Sequence, residues 1–580
     1  MSHQPLRETP RVVAPSFRWV SRLILSLEHS FQRAKAAGRA EEDTRVRIFL
    51  IRIVFGALFV GLSAGAVNSA LFRGEAPSFG AGSPGAVSRA DLVDRNGQLL
   101  ASNIEHHGLF VDPAEVWDRE LATTQLKRAL PKLSDSRLRR VMYGERRAMV
   151  IGGLTPQEKA RVHALALGGI SFEPEDRRVY PLGPSAAHVI GLTEQGGKGL
   201  SGAEAAFDAD IRAAGRMGEP FALSIDLRVQ GVLENELRAA AETNGVKGAV
   251  GIVTNASTGE ILALASYPEF DPNDRSAPMD ARLNRAAAAH YEMGSVFKSF
   301  TVAAGIDAGY ADLDTTFDAS DPLKIGSRSI TDFHAQNRIM TLEVVFIHSS
   351  NIGTSRLAVE MGPAVMKSYF EKLGLLDATP VELKESAAPV TPRNWTDTTL
   401  ASLSFGYGLM ATPLQAVAAT GALVNGGEFV PLSLRKGGQQ GGRRRAVSPQ
   451  TSAAILKLMR ANVIKGSGGR ADAPGLRVGG KTGSANKLVN GRYSSVHALG
   501  SFAGVFPTDG PADTPRYVVF ILMDEPAHYP RTGGFVAAPA VGRVIDRSAA
   551  FLGVERAADR WRTATGEKIP QPEDLVEAAR

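Results

Sequence analysis

The sequence predicts an α+β protein carried on a single transmembrane helix, with a central antiparallel sheet flanked by helices in its larger, C-terminal part. Three observations predict it. Residues 53–71 form a 19-residue stretch without a charge. Short runs rich in Val, Ile, Leu and Ala cluster at two distant places, 249–254 with 260–266 and 476–487 with 498–506 and 516–523. Between those two groups the apolar period is helical, including 295–308 and 414–424. A sheet whose strands come from both ends of a region, with helices inserted between and packed on its faces, is the simplest way to bury both sets.

The membrane helix rests on length and flanking charge. Nineteen helical residues reach roughly 28 Å, close to the hydrocarbon thickness of a bilayer. Arg45, Arg47 and Arg52 stand just before the stretch, and residues 1–52 hold ten Lys or Arg against five Asp or Glu, so +5 of the chain's +6 lies there. Positive flanks stay inside, which predicts a basic cytoplasmic tail at 1–47, an anchor at 48–71 and everything later outside the cytoplasm. Nearly fifty residues precede the apolar run, too many for a cleavable signal peptide, so an uncleaved signal anchor is predicted.

The rest of the chain is balanced in charge, which argues against a nucleic-acid-binding face. With 44% hydrophobic and 22% charged residues in 580, the bulk reads as several folded, water-exposed domains. There is no cysteine, which excludes a disulfide scaffold, a zinc ribbon and a thiol nucleophile.

After the anchor, Gly80-Ala-Gly-Ser-Pro-Gly85 reads as a linker. Residues from about 86 to 225 mix short strand and helix patterns without a nucleophile or metal cluster, so a supporting domain is expected. His106 and His107 are adjacent rather than at ligand spacing and read as structural. The Gly- and Arg-rich run 437–445 reads as a solvated loop, and 557–580 as a loose tail.

Three short motifs could carry chemistry. Ser295-Val-Phe-Lys298 opens an apolar-periodic helix, and residues three apart share a helical face, so Lys298 can reach the Ser295 hydroxyl. A serine is a poor nucleophile until a base takes its proton, and a lysine serves once burial or a neighbouring cation lowers its pKa. Ser433-Leu-Arg-Lys436 has the same spacing but opens no helix and reads as chance. Ser349-Ser350-Asn351 offers a hydroxyl and an amide; Ser484-Ala485-Asn486 has the same form. Lys481-Thr482-Gly483 lies in a predicted strand after Gly479 and Gly480, where a cation and a hydroxyl stand beside backbone that a substrate can approach. Each is weak alone. In this order, with Ser-x-Asn 54 residues after Ser-x-x-Lys and Lys-Thr-Gly on a late strand, they match the set of penicillin-binding proteins and class A β-lactamases.

The resemblance extends further. Tyr291-Glu292-Met293-Gly294-Ser295-Val-Phe-Lys298, Ser349-Ser-Asn-Ile-Gly353, Phe405-Gly-Tyr-Gly408 with Thr412-Pro-Leu-Gln415, and Gly479-Gly-Lys-Thr-Gly483 resemble a class B penicillin-binding protein. Arg89-Ala-Asp-Leu-Val-Asp-Arg-Asn-Gly97 and Gly199-Leu-Ser-Gly202-Ala-Glu204 resemble the pedestal, or dimerisation-type, module of that family. Tyr-Glu before Gly-Ser, and Asn as third member of Ser-Ser-Asn, resemble the septal, FtsI-type enzymes; the elongation-specific type usually has Asp there. Met293, Ala90 and Ser484 stand where Pro, Gly and Thr are usual. The resemblance implies a periplasmic pedestal at 72–225 and a transpeptidase domain at 226–556.

It also implies a function, peptidoglycan D,D-transpeptidation at the division septum with covalent inhibition by β-lactam antibiotics, and roles for the motif residues. Ser295 would attack the carbonyl between the terminal D-alanines of a lipid II-derived stem peptide while Lys298 accepts its proton. The N–H groups of Ser295 and Ser484 would hold the oxyanion. Ser349 would pass a proton to the leaving D-alanine, Asn351 would hold the substrate amide, and Lys481, Thr482 and Ser484, beside Gly483, would engage the terminal carboxylate. An amine of a neighbouring stem would resolve the acyl-enzyme. No cofactor or metal is implied. Glycan polymerisation would fall to a SEDS glycosyltransferase such as FtsW, alongside other division proteins. Against a β-lactamase stands the lack of Glu-x-x-Leu-Asn between Asn351 and Lys481; a β-lactam-sensing receptor would carry several membrane spans, and an inactive division scaffold would not need every reacting group.

Overall fold

The computed structural model describes residues 89–557, apart from Gln195, Ser327, Gln440 and Ala512, and a few positions between 26 and 63. The basic tail 1–47, the anchor 48–71 and the C-terminal tail lie almost wholly outside the described residues. Among the described residues no helix is long and apolar enough to cross a membrane.

The expected split sheet is present. Strands β6 (Gly248–Asn255) and β7 (Ile261–Tyr267) come from the early cluster. The late cluster supplies β8 (Gly479–Val489), β9 (Arg492–Phe506) and β10 (Tyr517–Asp524). Their order is β8-β9-β10-β6-β7, antiparallel throughout, so the two sequence clusters meet where β10 pairs with β6. Both faces are covered, which is why these strands read as continuous apolar runs. Along β10, Val518, Phe520 and Leu522 join the core under helix Pro413–Val424, while Val519 and Ile521 join the one under helices Leu227–Asn244 and Ala538–Ser548. Each such side chain contributes about 1.5–3 kcal/mol by leaving water.

Two boundaries differ from expectation. β9 starts at Arg492, not near 498, because Asn490-Gly491, both in the left-handed region, makes a hairpin turn that prolongs the pairing past a bulge at Asn486/Lys487. The run 437–445 is pinned rather than free: Arg444–Arg445 pairs with Glu428–Phe429, and the Arg444 guanidinium lies 3.9 Å from the Phe429 ring centroid. Ser433 is buried and donates to Glu382 Oε1 at 2.6 Å, so its Ser-x-x-Lys spacing is coincidental.

The preceding segment has five strands, β1 (Leu92–Val93), β2 (Leu99–Val111), β3 (Ala148–Leu154), β4 (Ile170–Val179) and β5 (Phe221–Ala222). β1 is antiparallel to β2 and parallel to β5, and the long β2 pairs with both β3 and β4. Its outer lobe has its own core, with Leu109, Leu126, Leu138 and Val150. The inner lobe does not: Leu92, Leu100, Phe207 and Phe221 share one core with Val250 and Ile252 of the sheet domain, so apolar packing runs across residue 225.

The two N-terminal motifs meet in a buried ion cluster. Arg89 and Arg178 donate to the two oxygens of Glu204 at 2.6 and 2.7 Å, and Arg89 also reaches Asp208. Burial pushes the Asp208 carboxyl up, but the Gly199 N–H and the Arg89 guanidinium outweigh it and hold it at about 2. Losing Glu204 would leave the buried Arg178 guanidinium without a carboxylate, at about 3–5 kcal/mol, while Arg89 would keep Asp208. His106 is half-buried and His107 buried on β2, without a metal-binding group among the described residues.

Candidate active site

Ser295 lies in a 3-10 turn, Gly294–Phe297, that runs into helix Lys298–Asp307. The turn is pressed against the edge strand β8. Gly294 has φ +56°, and a Cβ there would come within 2.4 Å of the Ser484 carbonyl oxygen; a Cβ on Gly406 would come within 2.1 Å of the Gly294 oxygen. Only glycine allows so close a stack of three backbones. Behind the turn, Phe297 packs edge-on against Phe300 and Phe370 at 5.2 and 5.9 Å, fixing it to helix Asn351–Lys372.

Ser349 sits between helix Leu342–Ile347 and helix Asn351–Lys372 with φ +57°, a conformation that costs a non-glycine residue about 1–3 kcal/mol. That bend turns both its oxygens toward Lys298. The Lys298 amine donates to the Ser349 carbonyl, to Ser349 Oγ at 3.0 Å and to Asn351 Oδ1 at 2.8 Å. The Lys481 amine approaches the same hydroxyl from β8 at 3.1 Å and lies 5.8 Å from the Phe346 ring centroid. One hydroxyl thus bridges two lysines.

Both lysines are fully buried. Burial removes the water that would solvate an ammonium and brings Lys481 down to about 7. Lys298 is pushed well below its ordinary range, first by burial and then by the neighbouring Lys481 charge, against which Asp332 acts in the opposite sense. Two cations in this volume disfavour each other, so burial and mutual repulsion both drive Lys298 toward the neutral amine.

Ser295 is half-buried and its hydroxyl bonds to no other described residue. The Lys298–Ser295 approach expected from helical spacing is therefore not made here; the amine is held by Ser349 and Asn351 instead. Bonds between a base and its nucleophile commonly tighten only once substrate is bound.

On β8, Thr482 Oγ1 shares a hydrogen bond of 2.7 Å with Ser467, while Asn462 holds the Gly480 carbonyl at 2.8 Å. Gly483 closes on Met293, where a Cβ would come within 2.6 Å of the carbonyl oxygen. Ser484 Oγ accepts from Gly533 N–H at 3.0 Å. All eight expected residues, Ser295, Lys298, Ser349, Asn351, Lys481, Thr482, Gly483 and Ser484, belong to this cluster of three segments.

Other members lie outside the three short motifs. Glu292 accepts from Gly408 N–H at 2.7 Å and Tyr493 OH at 3.0 Å, and burial raises its carboxyl. Tyr407 OH accepts from Asn486 N–H at 2.9 Å, tying the Phe-Gly-Tyr-Gly loop to β8. Asp332, 17 residues before Ser349, accepts from the backbone N–H groups of Asn351 and Ile352. Glu292 and Tyr407 stand in the longer strings that carry the family resemblance, whereas only position in space marks Asp332.

Comparison with known proteins agrees with this geometry. The Penicillin binding protein transpeptidase domain matches residues 249–546, and the Penicillin-binding Protein dimerisation domain matches 84–214. The chain is 52% identical over 578 residues to "Probable peptidoglycan D,D-transpeptidase FtsI" of Caulobacter vibrioides, covering 97% of this chain and 98% of that one. It belongs to the class B penicillin-binding proteins, FtsI type. Two further class B relatives are "Probable peptidoglycan D,D-transpeptidase PenA" of Neisseria gonorrhoeae, 32% identical over 81% of this chain and 85% of that one, and "Peptidoglycan D,D-transpeptidase FtsI" of Escherichia coli K12, 29% identical over 79% and 83%.

Proposed function

We propose that this protein is a serine D,D-transpeptidase that cross-links peptidoglycan stem peptides at the division septum and is acylated by β-lactams. The observation that carries the reading is the Ser349 hydroxyl held between two buried lysines, one of them a turn after a half-buried serine whose hydroxyl bonds to no other described residue. A neutral Lys298 takes the Ser295 proton as Ser295 attacks the D-alanyl-D-alanine carbonyl. The Ser295 and Ser484 N–H groups face the developing oxyanion from the turn and the sheet edge. Ser349, already in contact with both amines, delivers the proton to the departing D-alanine. Asn351 positions the substrate amide, and Lys481, Thr482 and Ser484 receive the terminal carboxylate. An acceptor amine then displaces Ser295. Fluorescent penicillin labelling followed by peptide mapping tests this: the adduct is expected on Ser295, and a labelled protein modified elsewhere rejects the assignment.

The septal site of action is supported by Tyr291-Glu292, Ser349-Ser350-Asn351 and the FtsI relatives. Depletion should give filaments with unfinished constrictions; rounded cells would point to elongation instead. We place the domains as a cytoplasmic tail at 1–47, an anchor at 48–71, a periplasmic pedestal at 72–225 and the transpeptidase domain at 226–556, with a SEDS polymerase of the FtsW kind and other division proteins as partners through the anchor and pedestal. The uncharged run 53–71 and the +5 leader support the membrane part. A C-terminal reporter active only in the cytoplasm should stay silent, and a signal from it would reject the single-span topology.

A further inference from the structure

A carboxylate outside the three motifs holds the second one in place. Asp332 lies in the segment between the short strands Arg328–Ile330 and Ile339–Thr341, and its side chain is half-buried. Oδ1 accepts from the backbone N–H groups of Asn351 and Ile352 at 2.6 and 3.0 Å, and Oδ2 accepts from Ser350 Oγ at 2.7 Å. Ser350 in turn caps the helix by accepting from Gly353 N–H at 3.0 Å. The residue beside it, Thr331, accepts from Asn351 Nδ2 at 2.9 Å through its carbonyl, which leaves Asn351 Oδ1 turned to the Lys298 amine at 2.8 Å. An anion at the first turn of this helix, which runs to a kink at Gly362, also complements the positive end of its dipole. The chain of contacts therefore runs from one exposed segment, through the start of the helix, to the amine of the general base.

We propose that Asp332 is a positioning residue for acylation: it fixes the first turn of the Ser-Ser-Asn helix so that Ser349 and Asn351 hold the Lys298 amine in its place among the three motifs. The proposal rests on the reading of Ser295 and Lys298 as nucleophile and base. Helix propensity alone cannot supply this placement, because Ser349 is in a strained left-handed conformation and Asn351 must present its oxygen, not its nitrogen. Asp332 supplies three accepting contacts, one to each of the three residues after the strained one. It also contributes its charge: Lys298 faces the cation of Lys481, which disfavours its ammonium, and the anion of Asp332, which favours it.

The test is the second-order rate of acylation by a fluorescent penicillin, measured on the full chain in detergent from pH 5 to 9, with circular dichroism melts on the same samples. Asp332→Asn keeps the shape and removes the charge. Its rate should fall about 10- to 100-fold, the loss of one charge-assisted hydrogen bond at the reacting centre. Its acid limb should move to lower pH, because Lys298 then sheds its proton more readily. Ser350→Ala keeps the charge and removes one contact to Asp332 together with the cap on Gly353 N–H; its rate should fall while the limb stays in place. Melting midpoints should stay within a few degrees of the parent. Asp332→Asn acylating within twofold of the parent with an unmoved limb would overturn the proposal, as would losses that merely track unfolding. An unacylated parent would instead overturn the transpeptidase reading itself, so the two failures are distinct.

Discussion

Covalent labelling by a β-lactam is expected to disappear in Ser295→Ala and to fall by two or more orders of magnitude in Lys298→Arg, with folding retained. Ser295 is half-buried and its hydroxyl bonds to no other described residue, so its removal leaves no polar partner stranded and should alter stability by no more than about 1 kcal/mol. Removing the nucleophile of a serine enzyme costs on the order of 10⁶ in rate, which in a labelling gel is a blank lane. Lys298→Arg keeps a positive charge but installs a group that stays protonated in proteins, so general-base help worth about 10²–10⁴ is lost. A larger guanidinium in a fully buried site can strain the packing by about 1–3 kcal/mol. Lys298→Met resolves that ambiguity. It has similar volume, removes an amine that burial already disfavours, and should melt at or above the parent temperature while remaining unlabelled. Near-normal labelling of Lys298→Arg would remove Lys298 from the base role.

The second large effect concerns pH and the substrate carboxylate. Lys481 in the free enzyme sits at about 7, far below its ordinary 10.5, because it is buried. Below about 7 it carries the charge that receives a carboxylate; above, it loses that charge. Lys298 behaves oppositely, being competent as a base only when neutral, which burial and Lys481 secure at lower pH. The second-order acylation rate, which reports the free enzyme, should therefore fall on both sides, with its alkaline limb near 7. The two lysines titrate as a pair, so the limb belongs to the pair as much as to Lys481.

A D-alanyl-D-alanine peptide amidated at its terminus should react about 10- to 100-fold more slowly than the free acid, the equivalent of a charged hydrogen bond of about 1.5–3 kcal/mol. Lys481→Met should lose a similar factor with the free acid. Combining the two changes should cost little more than either alone, since each removes one half of the same contact. Independent, additive losses would place the carboxylate elsewhere, and an alkaline limb unchanged in Lys481→Met would free Lys481 of the titration.

The local devices of this fold are written in the sequence. β6, β7 and β10 read as strands because both faces of the sheet are covered and nearly every residue is apolar. The helix Pro413–Val424 is announced by Thr412, Pro413 and Gln415, which form a capping box with proline in the first turn. The three motifs were legible because their spacing and order follow the chain. The residues that place them were not. Asp332, Asn462, Ser467 and Tyr493 have no motif of their own, and their partners lie between 5 and 201 residues away.

What the sequence determined by itself is the set of groups proposed to react: Ser295 at a helix start, Lys298 one turn on, Ser349 and Asn351, and a Lys-Thr-Gly strand. Tertiary structure decided what those groups are chemically. A lysine is a cation until folding strips its water and sets a second lysine beside it, as Lys298 and Lys481 are set about one hydroxyl. Folding likewise decided that Lys298 rests on Ser349 and Asn351 rather than on Ser295, and that the inner pedestal lobe shares the core of the transpeptidase domain. Those properties arise from desolvation and from contacts between segments remote in the chain, and neither is encoded in any short stretch of residues.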